Sequence, residues 1–175
     1  MKTKIAFILM AAMTVVFAAC GTKTGNTGSG DGNGSGTESE ISVSENIEGS
    51  CADVLAGIYK ETGFDKDFIK LENVEITEEN EEYILGTTEI DYSDYVCSAP
   101  MMSSIAYQCV LLRAEANQDI DEAKKLLEDH ANPRKWICVE AESVVVENVG
   151  DMILFVMADD EYAMAIKNAF LALGK

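Results

Sequence analysis

The run Met152–Ala158 constrains the fold more than any other part of the chain. All seven of its residues are apolar, and a strand of this kind needs cover on both faces. The turn Asn148-Val149-Gly150-Asp151 precedes it, and apolar residues at helical spacing follow from Ala163 to Leu173. The run therefore predicts a central strand, with a hairpin partner before it and a helix after it.

The remaining patterns predict the order of the elements. Capping residues and apolar periodicity indicate helices at 50–63, 77–86, 119–133 and 159–173. Residues 64 to 76 are expected to be irregular, and strands are expected at 92–97, 105–114, 136–147 and 152–158. The order is therefore α-α-β-β-α-β-β-α. It predicts an α+β fold, with an antiparallel four-stranded sheet and helices packed on one face.

The first 45 residues predict processing rather than folding. Lys2 and Lys4 precede an apolar block that ends at Phe17, as in a signal peptide, and the block is too short to span a bilayer. We expect residues 1–19 to be a lipoprotein signal peptide. Residues 20–45 would then be a lipidated cysteine with a Gly/Ser-rich flexible tether. A single domain at 46–175 remains, close to the commonest domain size.

The sequence Phe17-Ala18-Ala19-Cys20 resembles a bacterial lipobox, in which the thiol of the cysteine carries the lipid. Lipidation at Cys20 implies a protein held by its acyl chains, such as palmitate, at the extracytoplasmic face of the cell membrane. The alternative is an ordinary secretory signal that releases a free protein. Phe17 stands where a lipobox usually has leucine.

Acidic residues dominate the charge of the chain. It has 31 acidic and 13 basic residues, for a formal net charge of −18. Such a charge repels phosphate backbones and anionic headgroups, so nucleic acid is not expected as a partner. Two explanations stay open: solubility beside an anionic bilayer, or attraction of a cationic partner.

Four cysteines follow Cys20 in the chain: Cys51, Cys97, Cys109 and Cys138. An even number outside the cytoplasm permits two disulfides. Cys97 and Cys109 are the first candidates for a pair because their strands are expected to be neighbours. The alternative is that all four are reduced. No Cys-x-x-Cys spacing occurs, so no metal site is predicted.

His130 is the only histidine, and any catalyst that depends on histidine would have to use it. It is expected at the end of a helix, where a cation suits the helix dipole. The chain contains neither a Gly-x-Ser-x-Gly elbow nor a phosphate-binding loop. Neither catalytic residues nor a cofactor are therefore assigned.

A family resemblance rests on the segment Asp91-Tyr92-Ser93-Asp94-Tyr95-Val96-Cys97-Ser98-Ala99-Pro100-Met101-Met102. This segment resembles part of a family of clostridial (Firmicutes) lipoproteins. The resemblance also includes the lipobox, the tether, the following strand and helix, and a closing valine-rich hairpin with its terminal helix. That family is known only as a domain of unknown function. The resemblance covers most of residues 50–175 and implies the fold, but it implies no catalytic residues. Tyr107-Gln108 stands where the family pattern has an acidic residue.

The absence of an assembled catalytic motif favours a non-enzymatic binding or interaction module at the cell envelope, with an envelope protein or component as its partner. Its expected contact surface consists of Tyr92, Asp94, Tyr95, Met101 and Met102. The alternative is a small thiol-active or hydrolytic enzyme that uses Cys97, Cys109 or Cys138. A solute receptor for a transporter is disfavoured, because such receptors usually need two lobes.

Overall fold

The computed structural model describes residues 46–63, 70–102 and 104–175. The expected signal peptide, the tether and the lipidation of Cys20 lie outside these residues. The described elements are α1 (Cys51–Thr62), β1 (Leu71–Val74), α2 (Glu81–Leu85), β2 (Tyr92–Pro100), β3 (Gln108–Ala114), α3 (Ile120–His130), β4 (Ser143–Val149), β5 (Met152–Ala158) and α4 (Asp160–Ala172).

Side-chain caps begin the three long helices. Ser50, Asp119 and Asp159 each accept a hydrogen bond from a backbone N–H in the first turn, at α1, α3 and α4 respectively. These bonds satisfy donors that a helix start leaves without an intrahelical partner. Gly63 ends α1 in the left-handed conformation, as expected for a glycine at this position. The predicted helix starts at Ser50 and Asp119 are confirmed.

The strands form one antiparallel sheet in the order β1-β2-β3-β5-β4. The α+β class and the antiparallel sheet are confirmed, and β5 is buried along its whole length between β3 and β4. The expected count of four strands is wrong, because β1 lies in a segment predicted to be irregular. Glu72 and Asn73 of β1 are exposed. The strand pairs through its backbone with β2 and so lacks an apolar pattern. The element order is therefore α-β-α-β-β-α-β-β-α.

Helices cover both faces of the sheet, and the expectation of one covered face is corrected. Cys109 and Leu111 of β3 belong to a core layer with α1 and α4. Val110 and Leu112, the alternate residues, belong to a second layer with α2 and α3. Since β3 and β5 are apolar on both sides, each side needs its own cover. Within the described residues, none of the helices combines the length and the apolar character needed to cross a bilayer.

Arg113, near the end of β3, holds the segment that leads into α1. Its Nη2 donates to the carbonyl oxygens of Ile47, at 2.9 Å, and Gly49, at 2.8 Å. Its Nη1 forms an ion pair of 2.8 Å with Asp151. The chain before α1 is thereby fixed at the end of the sheet where β3 finishes and β5 begins.

A candidate binding pocket beside Lys135

The two tyrosines of the expected contact surface have structural contacts. Their rings meet edge to face, with 5.7 Å between centroids. The Tyr92 hydroxyl donates to Glu81 Oε1 at 3.0 Å, and the Tyr95 hydroxyl accepts from the backbone N–H of Ile76 at 3.3 Å. Both side chains are partly buried against the layer that contains α2 and α3. They attach α2 and the loop before it to the sheet.

The side chains of the other three residues of that expected surface make different contacts from the two tyrosine rings. Asp94 accepts a 2.7 Å hydrogen bond from the backbone N–H of Cys51, the first residue of α1. Met101 and Met102 follow the end of β2 and are 70% and 56% exposed. The structure therefore does not bring the five residues together. Of the five, only Met101 lines the pocket described next.

A cavity of about 270 Å³ lies between α2, the end of β2, the start of β3 and the segment after α3. Most of its wall is aliphatic or aromatic, with three polar side chains among them. This composition is typical of small-molecule sites, which combine apolar walls with a few converging polar groups. The lining residues are Val74, Asn80, Tyr83, Ile84, Cys97, Ala99, Pro100, Met101, Tyr107, Gln108, Lys135 and Trp136.

Lys135 supplies the cation of this cavity. Its Nζ donates to the backbone oxygen of Tyr83 at 2.9 Å and to Gln108 Oε1 at 2.5 Å. The carbonyl oxygen of Ile84 lies at 3.5 Å, at the outer limit of a hydrogen bond. The ammonium group also lies 4.7 Å from the ring centroid of Tyr83 and 5.5 Å from that of Trp136, within the range of cation–π attraction.

Lys135 differs from the paired cations elsewhere in the domain. Arg113, Arg134 and Lys167 each form an ion pair with a carboxylate, whereas within the described residues no such pair involves Lys135. Burial lowers the pKa of Lys135 from 10.5 to about 8. The pocket therefore holds a partly desolvated amine whose charged form has no anionic partner among the described residues.

Gln108 positions this amine. The residue is buried, with 3% of its surface exposed, and its Nε2 donates to the backbone oxygen of Ile84 at 3.0 Å. With the amide group oriented by that bond, Oε1 is directed at Lys135. Gln108 is therefore a neutral acceptor for the amine.

The four cysteines of the described residues are free thiols. Cys97 and Cys109 lie in opposite core layers, so the expected pair between them is not present; a disulfide needs Cβ atoms about 3.5–4.5 Å apart. Burial raises the pKa of Cys51, Cys97 and Cys109 to about 12 each. Because the thiolate is the nucleophile, these three do not favour a thiol-active enzyme. Cys138 is exposed.

His130 is the last residue of α3, as expected. Its Nδ1 lies 2.9 Å from the carbonyl oxygen of Leu126, one turn earlier. This contact accounts for the histidine as part of the helix end. Within the described parts of the chain, the side chains of His, Cys, Asp and Glu form no group that could hold a metal ion.

Comparison of the chain with models of protein families, with curated proteins and with solved structures found no match. The functional proposal therefore depends on the pocket. Sequence patterns did not single out Lys135, although its place beside the only tryptophan, two residues after a proline, was a usable signal.

Proposed function

We propose that this chain is a lipid-anchored, extracytoplasmic binding module, and that its pocket holds a small ligand with an apolar body and one anionic group. The observation that carries the proposal is the amine of Lys135, which is partly buried in an apolar cavity and has neutral oxygen acceptors in place of a carboxylate. A ligand anion would supply the missing charge, and charge-assisted hydrogen bonds are the stronger kind.

The contacts of Nζ leave room for such a ligand. Two of the three ammonium hydrogens have short bonds, to Tyr83 and Gln108. The third has only the 3.5 Å contact with Ile84. A carboxylate at the cavity mouth would accept this hydrogen, while its apolar part would pack against Pro100 and Trp136. Burial of that part contributes about 25 cal/mol per Å² of apolar surface.

The pocket lies at the opposite end of β3 from the segment that leads into the domain. Gln108 begins the strand beside the pocket, and Arg113 near its other end holds Ile47 and Gly49. Five residue steps along the strand separate the two by about 17 Å. The pocket and the segment that leads into α1 therefore lie at different ends of β3.

Paired probes test the proposal, because benzoate and benzamide have similar shapes and differ in charge. We expect calorimetric titration of the purified protein to show that benzoate binds. The affinity for benzamide is expected to be at least about tenfold lower, a difference of about 1.4 kcal/mol in binding free energy. Equal affinities would refute the need for an anion. Absence of benzoate binding would refute the proposed ligand class.

Two variants locate the binding. Gln108→Glu keeps the shape of the side chain and places a carboxylate beside Nζ, so it is expected to abolish the preference for benzoate. Lys125→Met removes an exposed lysine of α3 and is the matched control for loss of one positive charge. A preference for benzoate that survived Gln108→Glu, or that was lost in Lys125→Met, would place the bound anion elsewhere.

A further inference from the structure

The surroundings of Lys135 also suit covalent chemistry of its amine. Lys167 is paired with Glu147 at 2.5 Å, and Lys124 donates to Asn148 at 3.0 Å. Lys135 instead lies in a mainly apolar cavity, with two short hydrogen bonds to neutral oxygens. Those two acceptors match the two N–H groups that a neutral amine retains.

We propose that Lys135 is a carbonyl-capture site, which forms a reversible Schiff base with a small aldehyde whose apolar body occupies the same cavity. The inference rests on the proposed function in one respect, namely that the pocket admits a small apolar ligand. It goes beyond that function because it assigns a covalent bond to a named atom, Nζ.

The step is balanced without an oxidant or a reductant. The lone pair of the neutral amine attacks the carbonyl carbon, the C–N bond forms, and the carbonyl oxygen takes a proton while the nitrogen loses one. Loss of the resulting hydroxyl as water then gives the C=N bond. One amine and one aldehyde yield one imine and one water molecule, and solvent at the cavity mouth exchanges the protons.

The electrostatics of the cavity support this step. Burial lowers the pKa of Lys135 to about 8, so about half of the amine is neutral at pH 8, compared with under about 1% of a lysine with the reference pKa. The titratable and polar side chains that line the cavity with the amine include Cys97 from β2, Tyr83 from α2, Tyr107 and Gln108. Burial raises the pKa of Cys97 to about 12, so its thiol is uncharged. Glu82 lines an adjoining cavity of about 190 Å³, which Lys135 also borders.

Reductive trapping tests the proposal. The purified protein is incubated with benzaldehyde and cyanoborohydride at pH 8, and the benzylated lysines are mapped by mass spectrometry of its peptides. We expect the initial rate at Lys135 to exceed that at exposed Lys125 by about tenfold or more, because nucleophilic lysines react as the neutral amine. Lys135→Arg, which keeps a positive charge, is expected to lose the fast labelling without a gain elsewhere.

Benzoate separates this inference from the proposed function. Fast labelling at Lys135 that benzoate slows would support both proposals. Labelling spread over exposed lysines, in a preparation that binds benzoate by calorimetry, would overturn carbonyl capture and leave anion binding intact. Fast labelling at Lys135 without benzoate binding would support capture and overturn the anion proposal. Because these readouts use the native sequence, they do not depend on the folding of Lys135→Arg.

Discussion

The stability of the domain is expected to rise with pH through the titration of Lys135. Its pKa is lowered from 10.5 to about 8 by burial, so the folded state disfavours the charged amine. Below about pH 8 both the folded and the unfolded chain carry this proton, and the folded state bears the full cost. Between about pH 8 and pH 10.4 the unfolded state binds more protons, and stability therefore increases with pH.

The size of the effect follows from the same two values. One pKa unit corresponds to about 1.4 kcal/mol, so a change from 10.5 to about 8 gives a cost of about 3 kcal/mol at neutral pH. Lys135→Met removes the titrating group and its cost. The difference in unfolding free energy between the native protein and this variant is therefore expected to shift by about 3 kcal/mol between pH 7 and pH 10.4, in favour of the native protein.

Urea denaturation followed by far-ultraviolet circular dichroism measures this difference at pH 7, 8, 9 and 10. Lys125→Met is the matched control, since it removes an exposed lysine from α3. The subtraction cancels the titration of groups that the native protein and the variant share. A difference between the native protein and Lys135→Met that stayed constant over this range would refute the desolvated amine.

Three further predictions concern the scaffold. Arg113→Ala is expected to lower the unfolding free energy in urea denaturation by about 2–3 kcal/mol, because it removes charge-assisted hydrogen bonds from a mostly buried side chain. Arg134→Ala removes an exposed ion pair and is expected to lower it by under about 1 kcal/mol. Gly86→Ala is expected to lower the unfolding free energy by about 3 kcal/mol, because Gly86 has a positive φ and an added Cβ would clash with the backbone of His130. Gly57→Ala adds its Cβ in open space on α1 and is expected to raise the unfolding free energy by about 0.5–1 kcal/mol. Apart from Cys20, a chromogenic disulfide reagent is expected to modify only Cys138 quickly in the native protein, and to modify three further cysteines after unfolding. Equal changes in unfolding free energy within the arginine pair or within the glycine pair would contradict the first two predictions. Rapid modification of more than one thiol in the native protein would contradict the third.

The elements that the sequence predicted best are those specified by neighbouring residues. The apolar run of β5, its turn at Gly150 and the caps at Ser50 and Asp119 depend on residues within a few positions, and all of them are present. Capping bonds and turn conformations are local interactions, so a single sequence carries them.

The parts that the sequence did not predict depend on contacts across the fold. β1 is a strand only because its backbone pairs with β2 from Val74 to Leu71. Apolar residues on successive positions of β3 required cover on both faces, and helix patterns alone did not say which helix covers which face. Residues 136–142 alternate enough to suggest a strand, whereas the observed strand β4 begins at Ser143.

The candidate site could not be assembled from the sequence for the same reason. Tyr83, Gln108 and Lys135 come from three separate segments. Only tertiary packing brings the amine of Lys135 to the side-chain amide of Gln108 and to the backbone oxygen of Tyr83 in α2. The expected contact surface instead followed one continuous stretch of β2, in which successive side chains point to opposite faces of the sheet.

Titration of Lys135 in the presence and absence of benzoate tests the central claim most directly. The chemical shift of its Cε carbon, recorded by nuclear magnetic resonance on selectively labelled protein, reports the pKa, and comparison with Lys135→Met assigns the signal. The account predicts a pKa of about 8 without ligand and an increase of about one unit or more at saturating benzoate, because a bound anion favours the charged amine. A pKa close to 10.5 without ligand, or one that benzoate leaves unchanged, would contradict it.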